Sequence, residues 1–392
     1  MTDVAVDSPD VEFSLVDDPP LRLQRALRIA PRAGYGAGRR SVLFVLVTWA
    51  PVIVWAAARG LLGPELWGEH AIRHLGFHVR CLLAIPLLVL SGPLAARMLA
   101  AMVANFVHSG LVGQEQRAGF TQALRSVERL RDNVLIWIGI AVAVVAIAVA
   151  GGHQALNEDP DAVRWTAAGT ADFGALWSVY VSRPVVALLV VAWLWRLFMT
   201  WLLLRRIARL GLRLVPSHPD GVGGLGFLEY LPGGFSLVIF AISSVSCATI
   251  AHRILEHGAR LKQFQGPLIV LVVLLALLFM APLIAFSKSL RRIRIRARFQ
   301  YGTLAGLHVR GLHERWIEGT TPENEAVLQA PEIGPAADVA TLYQMATKIR
   351  PVPIGKATLG IVLVPALLPM LLVASLEVSL LDMLVKVLGM LK

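Results

Sequence analysis

At 392 residues the chain has length for two or three soluble domains, but 56% of it is hydrophobic and only 16% is charged, against about a quarter in an average soluble domain. A mean hydropathy of +0.66 excludes an ordinary water-soluble fold and makes the apolar run of roughly 20 residues the natural unit. The net charge of +11 comes from arginines that flank apolar runs, the pattern of the positive-inside rule and not of a nucleic-acid surface, so no nucleic-acid partner is expected.

The first twenty residues contain Asp3, Asp7, Asp10, Glu12, Asp17 and Asp18 and no base. That is the reverse of a signal-peptide start, and it reads as a disordered acidic tail. Leu21 to Ala30 follows with Arg22, Arg25, Arg28 and Arg32 on one helical face and Leu23, Ala26, Leu27 and Ala30 opposite, which suits a short helix lying on anionic headgroups. The unit 1–40 is therefore expected to be tail plus interfacial helix.

Seven apolar segments follow, at about 41–58, 79–104, 134–151, 184–204, 235–251, 267–287 and 357–375. An all-α integral membrane bundle of six or seven transmembrane helices is the expected fold class. The region 41–287 supplies six helices, with an amphipathic helix near 114–133 built on Phe120, Leu124, Val127 and Leu130. The segment at 357–375 carries Pro365 and Pro369, so 356–392 either spans or re-enters. Of the 37 basic residues, 26 fall in the N-terminal arm and the loops after segments two, four and six. Ten fall on the other side, and Arg196 lies within a span. This bias places the N-terminus in the cytoplasm. Residues 288–355 form the largest water-side part. Two apolar helical stripes are expected there, the second on Val339, Leu342, Ala346 and Ile349, and Thr321-Pro322 is a start signal between them.

Candidate chemistry is sparse. Cys81 and Cys247 both sit in apolar runs and read as buried thiols, not a disulfide. The central stretch Val215-Pro-Ser-His-Pro-Asp-Gly-Val-Gly-Gly-Leu-Gly-Phe-Leu228 contains a formal Gly221-x-Gly223-x-x-Gly226 fingerprint, but an apolar helix precedes it where a dinucleotide site needs a strand. Its glycines then serve a tight turn that packs closely on neighbouring helices. Alternatively the loop lines a cytoplasmic vestibule that presents His218 and Asp220. Arg196, in mid-segment, needs a counter-charge or a carbonyl, since a charge at a helix centre costs at least about 2.5–3.5 kcal/mol on insertion scales. Glu377 and Asp382 are acids of the C-terminal segment that offer one; snorkelling beside Trp195 and Trp201 is the structural alternative.

Segment five holds Ser236, Ser243, Ser244, Ser246, Cys247 and Thr249. Such small hydroxyl residues serve either close helix packing or a water-lined pathway. Beyond the membrane, His70, His74 and His78 recur at i, i+4 and i+8, a spacing that serves a metal such as zinc, a pH sensor, or plain interfacial histidines. No cofactor is expected. There is no nucleophile elbow, P-loop or zinc-protease motif, so an enzyme is not expected.

Three landmarks, His78-Val-Arg-Cys-Leu-Leu-Ala-Ile-Pro-Leu-Leu, His218-Pro-Asp-x-x-Gly-Gly-Leu-Gly-Phe-Leu and Ile349-Arg-Pro-Val-Pro-Ile, resemble those of a family of uncharacterised bacterial polytopic inner-membrane proteins. The resemblance implies a common polytopic fold and transfers no site residue. The leading functional expectation is a channel or transporter for an ion or small solute, with a pathway drawn from Arg196, Ser243, Ser246, Thr249, His218 and Asp220. The alternative is a membrane-embedded sensor or scaffold acting through its cytoplasmic helices. Expected partners are the lipid bilayer, anionic headgroups at the basic flanks and further copies of the chain.

Overall fold

The computed structural model describes residues 13–31, 34–60, 75–158, 172–318 and 333–377. Among them every regular element is helical. A short α1 (Pro19–Ala26) precedes a first span, α2 (Ala37–Ala58). Then come α3 (Leu75–His108), α4 (Gln114–Arg131), α5 (Val134–Glu158) and α6 (Phe173–Ile207). A 3-10 turn (Gly226–Phe235) leads into α7 (Ser236–His257). Next, α8 (Gln265–Met280) passes through a second 3-10 turn (Ala281–Phe286) into α9 (Ser287–Trp316), followed by α10 (Ile333–Thr347) and α11 (Lys356–Ala374). Seven of these runs are long and apolar enough to cross a bilayer, which makes the protein a membrane-embedded α-helical bundle.

The sequence explains the individual helices. Their interiors are Leu, Val, Ala and Ile, and the prolines sit where a helix tolerates them. Pro86 and Pro184 lie in the first turn of regular helix, each after a π-helical turn (Val79–Ala84 and Ser178–Ser182) that offsets the register. Pro93, Pro365 and Pro369 interrupt helix interiors, as membrane helices permit when neighbours satisfy the freed groups. Despite its two prolines α11 is one continuous helix. Its Thr358 bonds the Glu229 carbonyl at one end, and its Ala366 carbonyl accepts from Ser243 of α7. Near its other end Met370 and Val373 pack with Cys247, Ala251 and Leu268. It therefore runs the length of α7, as a spanning helix does and a re-entrant hairpin does not.

The core is layered. A middle layer joins Leu88, Trp193, Leu197, Phe235, Ile239, Phe279 and Val362. Smaller clusters around Val52 and Cys81, and around Cys247 and Leu268, lie on one side of it. On the arginine-rich side a larger cluster joins Val103, Phe106, Phe120, Leu203, Leu225, Phe286, Leu290 and Ile349. Lipid tails are as apolar as leucine, so the middle layer is held by close packing and hydrogen bonds. Where the basic-side layer leaves the bilayer, apolar burial adds about 1.5–3 kcal/mol per large side chain.

The water-side elements follow the sequence pattern with two exceptions. Helix α4 buries Phe120, Leu124 and Val127 as expected, and α10 packs along α9. The first exception is at the start of the chain. The acidic tail expected to be disordered through residue 20 is ordered from Phe13, and Phe13, Leu15, Val16 and Asp18 are buried. The apolar side chains between the acids are what hold it down. The second is in the stripe along α10, where Leu342 is exposed while Ala346, and Ile349 just past the helix end, are buried, so only the end of that stripe faces the core. The Thr321-Pro322 start signal lies outside the described residues.

Candidate functional site

Arg196 lies on α6 where the middle layer, with Trp193 and Leu197, gives way to the basic-side layer, with Met199 and Leu203. Its counter-charge is Asp18. The guanidinium donates from Nη2 to Asp18 Oδ2 at 2.6 Å and from Nε to the same oxygen at 3.1 Å. It also stacks over the Trp193 ring, 4.7 Å from the centroid. Asp18 is fully buried and does a second job: its Oδ1 accepts from the Leu21 amide at 3.1 Å, making it the N-cap of α1 just ahead of Pro19 and Pro20.

The segment carrying Asp18 is fastened on both sides. Arg131 donates to the Ser14 carbonyl and pairs with Asp132 at 2.8 Å, while Arg22 reaches Asp132 at 2.9 Å and Arg25 reaches Asp17 at 2.5 Å. The cavity beside Arg196, lined by Leu15, Val16, Met98 and Thr200 among others, has a volume of about 10 Å³, room for about one water.

Of the two acids offered as partners for Arg196, Glu377 is engaged elsewhere. Glu377 accepts from the Leu261 amide at 2.6 Å, at the α7–α8 end of the bundle, and Asp382 lies outside the described residues. The snorkelling alternative also gives way, because the side chain turns to Asp18 and Trp193, inside the protein.

The second polar centre is the central loop. Asp220 Oδ1 accepts from the amides of Val222 at 2.9 Å and Gly224 at 3.2 Å, and Oδ2 from Gly226 at 2.7 Å. His218 Nδ1 stands 2.9 Å from Oδ1. The result is a nest closed around an internal carboxylate. Gly221, Gly223 and Gly224, at φ of +66°, +69° and +95°, supply the left-handed backbone that aims those amides inward. Burial pushes the Asp220 carboxyl up, but the three amides and His218 outweigh it and hold it below the ordinary carboxylate range. The fingerprint glycines thus form a tight turn whose anion is its own side chain.

Arg350 locks this loop to the start of α11. Its amide donates to the Gly221 carbonyl at 2.8 Å. Its Nη2 donates to the Asp220 carbonyl at 2.9 Å and to Glu229 Oε1 at 2.5 Å, and its Nη1 to the Ile354 carbonyl at 3.1 Å. The landmarks at 218–228 and 349–354, over 120 residues apart in sequence, are therefore one structural knot. Glu229 and Arg350 carried no sequence signal as partners. Asp18 carried a weak one, an acid just before Pro19-Pro20, the pattern of a helix start.

The other candidates separate. Ser243 donates to the Ala366 carbonyl at 2.6 Å, and Ser246 and Thr249 bond back to Ile242 and Val245 at 3.1 Å each. Those contacts are helix packing and local back-bonding, and none of these hydroxyls touches Arg196. His70 and His74 lie outside the described residues. His78 Nδ1 accepts from the Trp49 indole at 3.0 Å, and the described residues contain no group of three or more metal-ligating side chains. Cys81 and Cys247 are buried free thiols. Comparison with protein-family models, curated proteins and solved structures finds no match.

Proposed function

We propose that this protein is a membrane-embedded scaffold that presents a helical arm to a partner on its basic side. The observation that supports this is the run Leu261–Glu314, 54 residues of consecutive helical structure. Its last α-helix, α9, is 30 residues and at 1.5 Å per residue roughly 45 Å long, more than the roughly 30 Å of a bilayer core. Helix α9 pairs with α10 and leaves Phe299 (74% exposed), Leu304, Leu307 and Val309 uncovered. The central loop meets this arm through the Ser217 and Tyr301 hydroxyls, 3.3 Å apart. A photo-crosslinking side chain placed at Phe299 in native membranes should give one discrete adduct, either with a second copy or with another protein, and Leu307→Ser should abolish it. A diffuse or absent adduct would count against the scaffold.

A second reading rests on Asp18. Its carboxylate comes from outside the spans, so the N-terminal segment is placed to hold shut a transporter or channel whose binding site is Arg196. Asp18→Asn would then raise anion flux into proteoliposomes. Equal flux from wild type and variant removes this reading and leaves the scaffold untouched.

A further inference from the structure

A large open cavity lies among the described residues at the base of the arm, and Arg196 does not line it. It is an open groove of about 530 Å³ between the end of α6 and the start of α9, lined by Trp201, Arg205, Arg209, Lys288, Ser289 and Arg292 among others. That volume falls in the roughly 300–1,000 Å³ range of small-molecule sites. We infer that this groove binds the phosphate of an anionic phospholipid, with Arg205 and Arg209 on one wall and Lys288 and Arg292 on the other.

The charge pattern carries the argument. Residues 288 and 292 are spaced i, i+4 on α9, so that helix turns two cations to the same side, and Arg205 in the last turn of α6 and Arg209 in the turn that follows it line the opposite wall. No lining residue is acidic, and among the described residues no carboxylate pairs with any of the four. This contrasts with Arg22, Arg25, Arg131, Arg196 and Arg350, each of which holds an acid. Four converging cations repel one another unless an anion sits between them. The groove is also built: Ser289 donates to the Ala208 carbonyl at 3.2 Å and holds the two walls together.

The apolar surface above the cations selects a lipid over a free phosphate. Trp195, Phe198 and Trp201 stack in a ladder along α6, with centroids 5.4 and 5.7 Å apart, and Arg205 closes it over Trp201 at 5.1 Å. Phe198 on α6 and Ile284 in the 3-10 turn before α9 are exposed. Aromatic rings beside arginines mark the headgroup level of a bilayer. A basic pocket between membrane helices at that level suits an anionic headgroup, with the acyl chains lying along the ladder.

The test uses the full chain, delipidated in detergent, and fluorescent phosphatidylglycerol as the probe. Wild type should bind it at least about tenfold more tightly than fluorescent phosphatidylcholine. Arg209→Gln/Arg292→Gln should lose most of that preference, while Arg296→Gln/Arg298→Gln, which removes two exposed arginines outside the groove, should keep it. Arg205→Gln/Lys288→Gln provides a second groove variant if the first does not fold. Equal loss in the groove and control variants would reduce the effect to general surface charge and overturn the site. Competition by millimolar inorganic phosphate to the baseline would overturn the lipid assignment in favour of a phosphate-ion site.

Discussion

Asp18 and Asp220 are both acids around which a stretch of backbone is organised, and they do it in opposite ways. Asp18 is fully buried and answers a charge on another helix, 178 residues away in sequence. Asp220 is half-buried at the water edge and answers three amides within six residues of itself. In the apolar layer a lone guanidinium is costly, so the chain brings a full countercharge to it. At the boundary, water shares the burden and partial charges on amides suffice. The first arrangement fixes tertiary structure, because it needs the N-terminal segment docked. The second fixes only the shape of a loop, which Arg350 then clips to α11.

The sharpest way to break this comparison is Asp18→Ala. It leaves Arg196 buried without a partner, which should cost about 3–5 kcal/mol and lower the midpoint of thermal unfolding in detergent. Replacing both residues by leucine should recover most of that loss. If Asp18→Ala unfolds with the wild type, the pair does not hold the segment.

Asp220→Ala should cost less, about 1–3 kcal/mol for the amides left unsatisfied, and it should change the acid limb. A carboxyl held low in the folded state contributes stability above its unfolded value, about 3.9, and loses it as pH falls through the lower folded value. Denaturation curves from pH 7 to pH 3 should therefore fall more steeply for wild type than for the variant. Parallel curves would remove the nest from the account. Smallest of all, Ser243→Ala should cost about 0.6 kcal/mol, the average for a hydrogen bond between membrane helices. A loss as large as that of Asp18→Ala would mean that the α7–α11 contact, not the ion pair, dominates the fold.

Much of the fold was legible in the sequence because it follows from local hydropathy. The seven apolar runs, the amphipathic α4 and the helical reading of 288–355 each depend on residues within a few turns of one another. So does the reading of the Gly221-x-Gly223-x-x-Gly226 run as a tight turn, since positive φ is a property of single glycines. The site was less legible. Arg196 stood out as a charge that needed a partner, but the acids weighed for it were Glu377 and Asp382, and Asp18 was assigned to a disordered tail. Acid density along the first twenty residues hid the apolar Phe13, Leu15 and Val16, whose burial carries Asp18 inward.

The sequence by itself determined that six or seven helices can cross a bilayer, where their apolar centres lie, and that one of them carries a charge needing an answer. Periodicity and transfer free energy act residue by residue along the chain, so those features need no fold to be read. Only the tertiary structure decided which acid answers Arg196, that Arg350 meets Asp220 and Glu229, and that Arg205 and Arg209 share one groove with Lys288 and Arg292 of α9. Those pairings join residues about 80 to 180 positions apart. An ion pair has no sequence period, and only helix packing sets its distance.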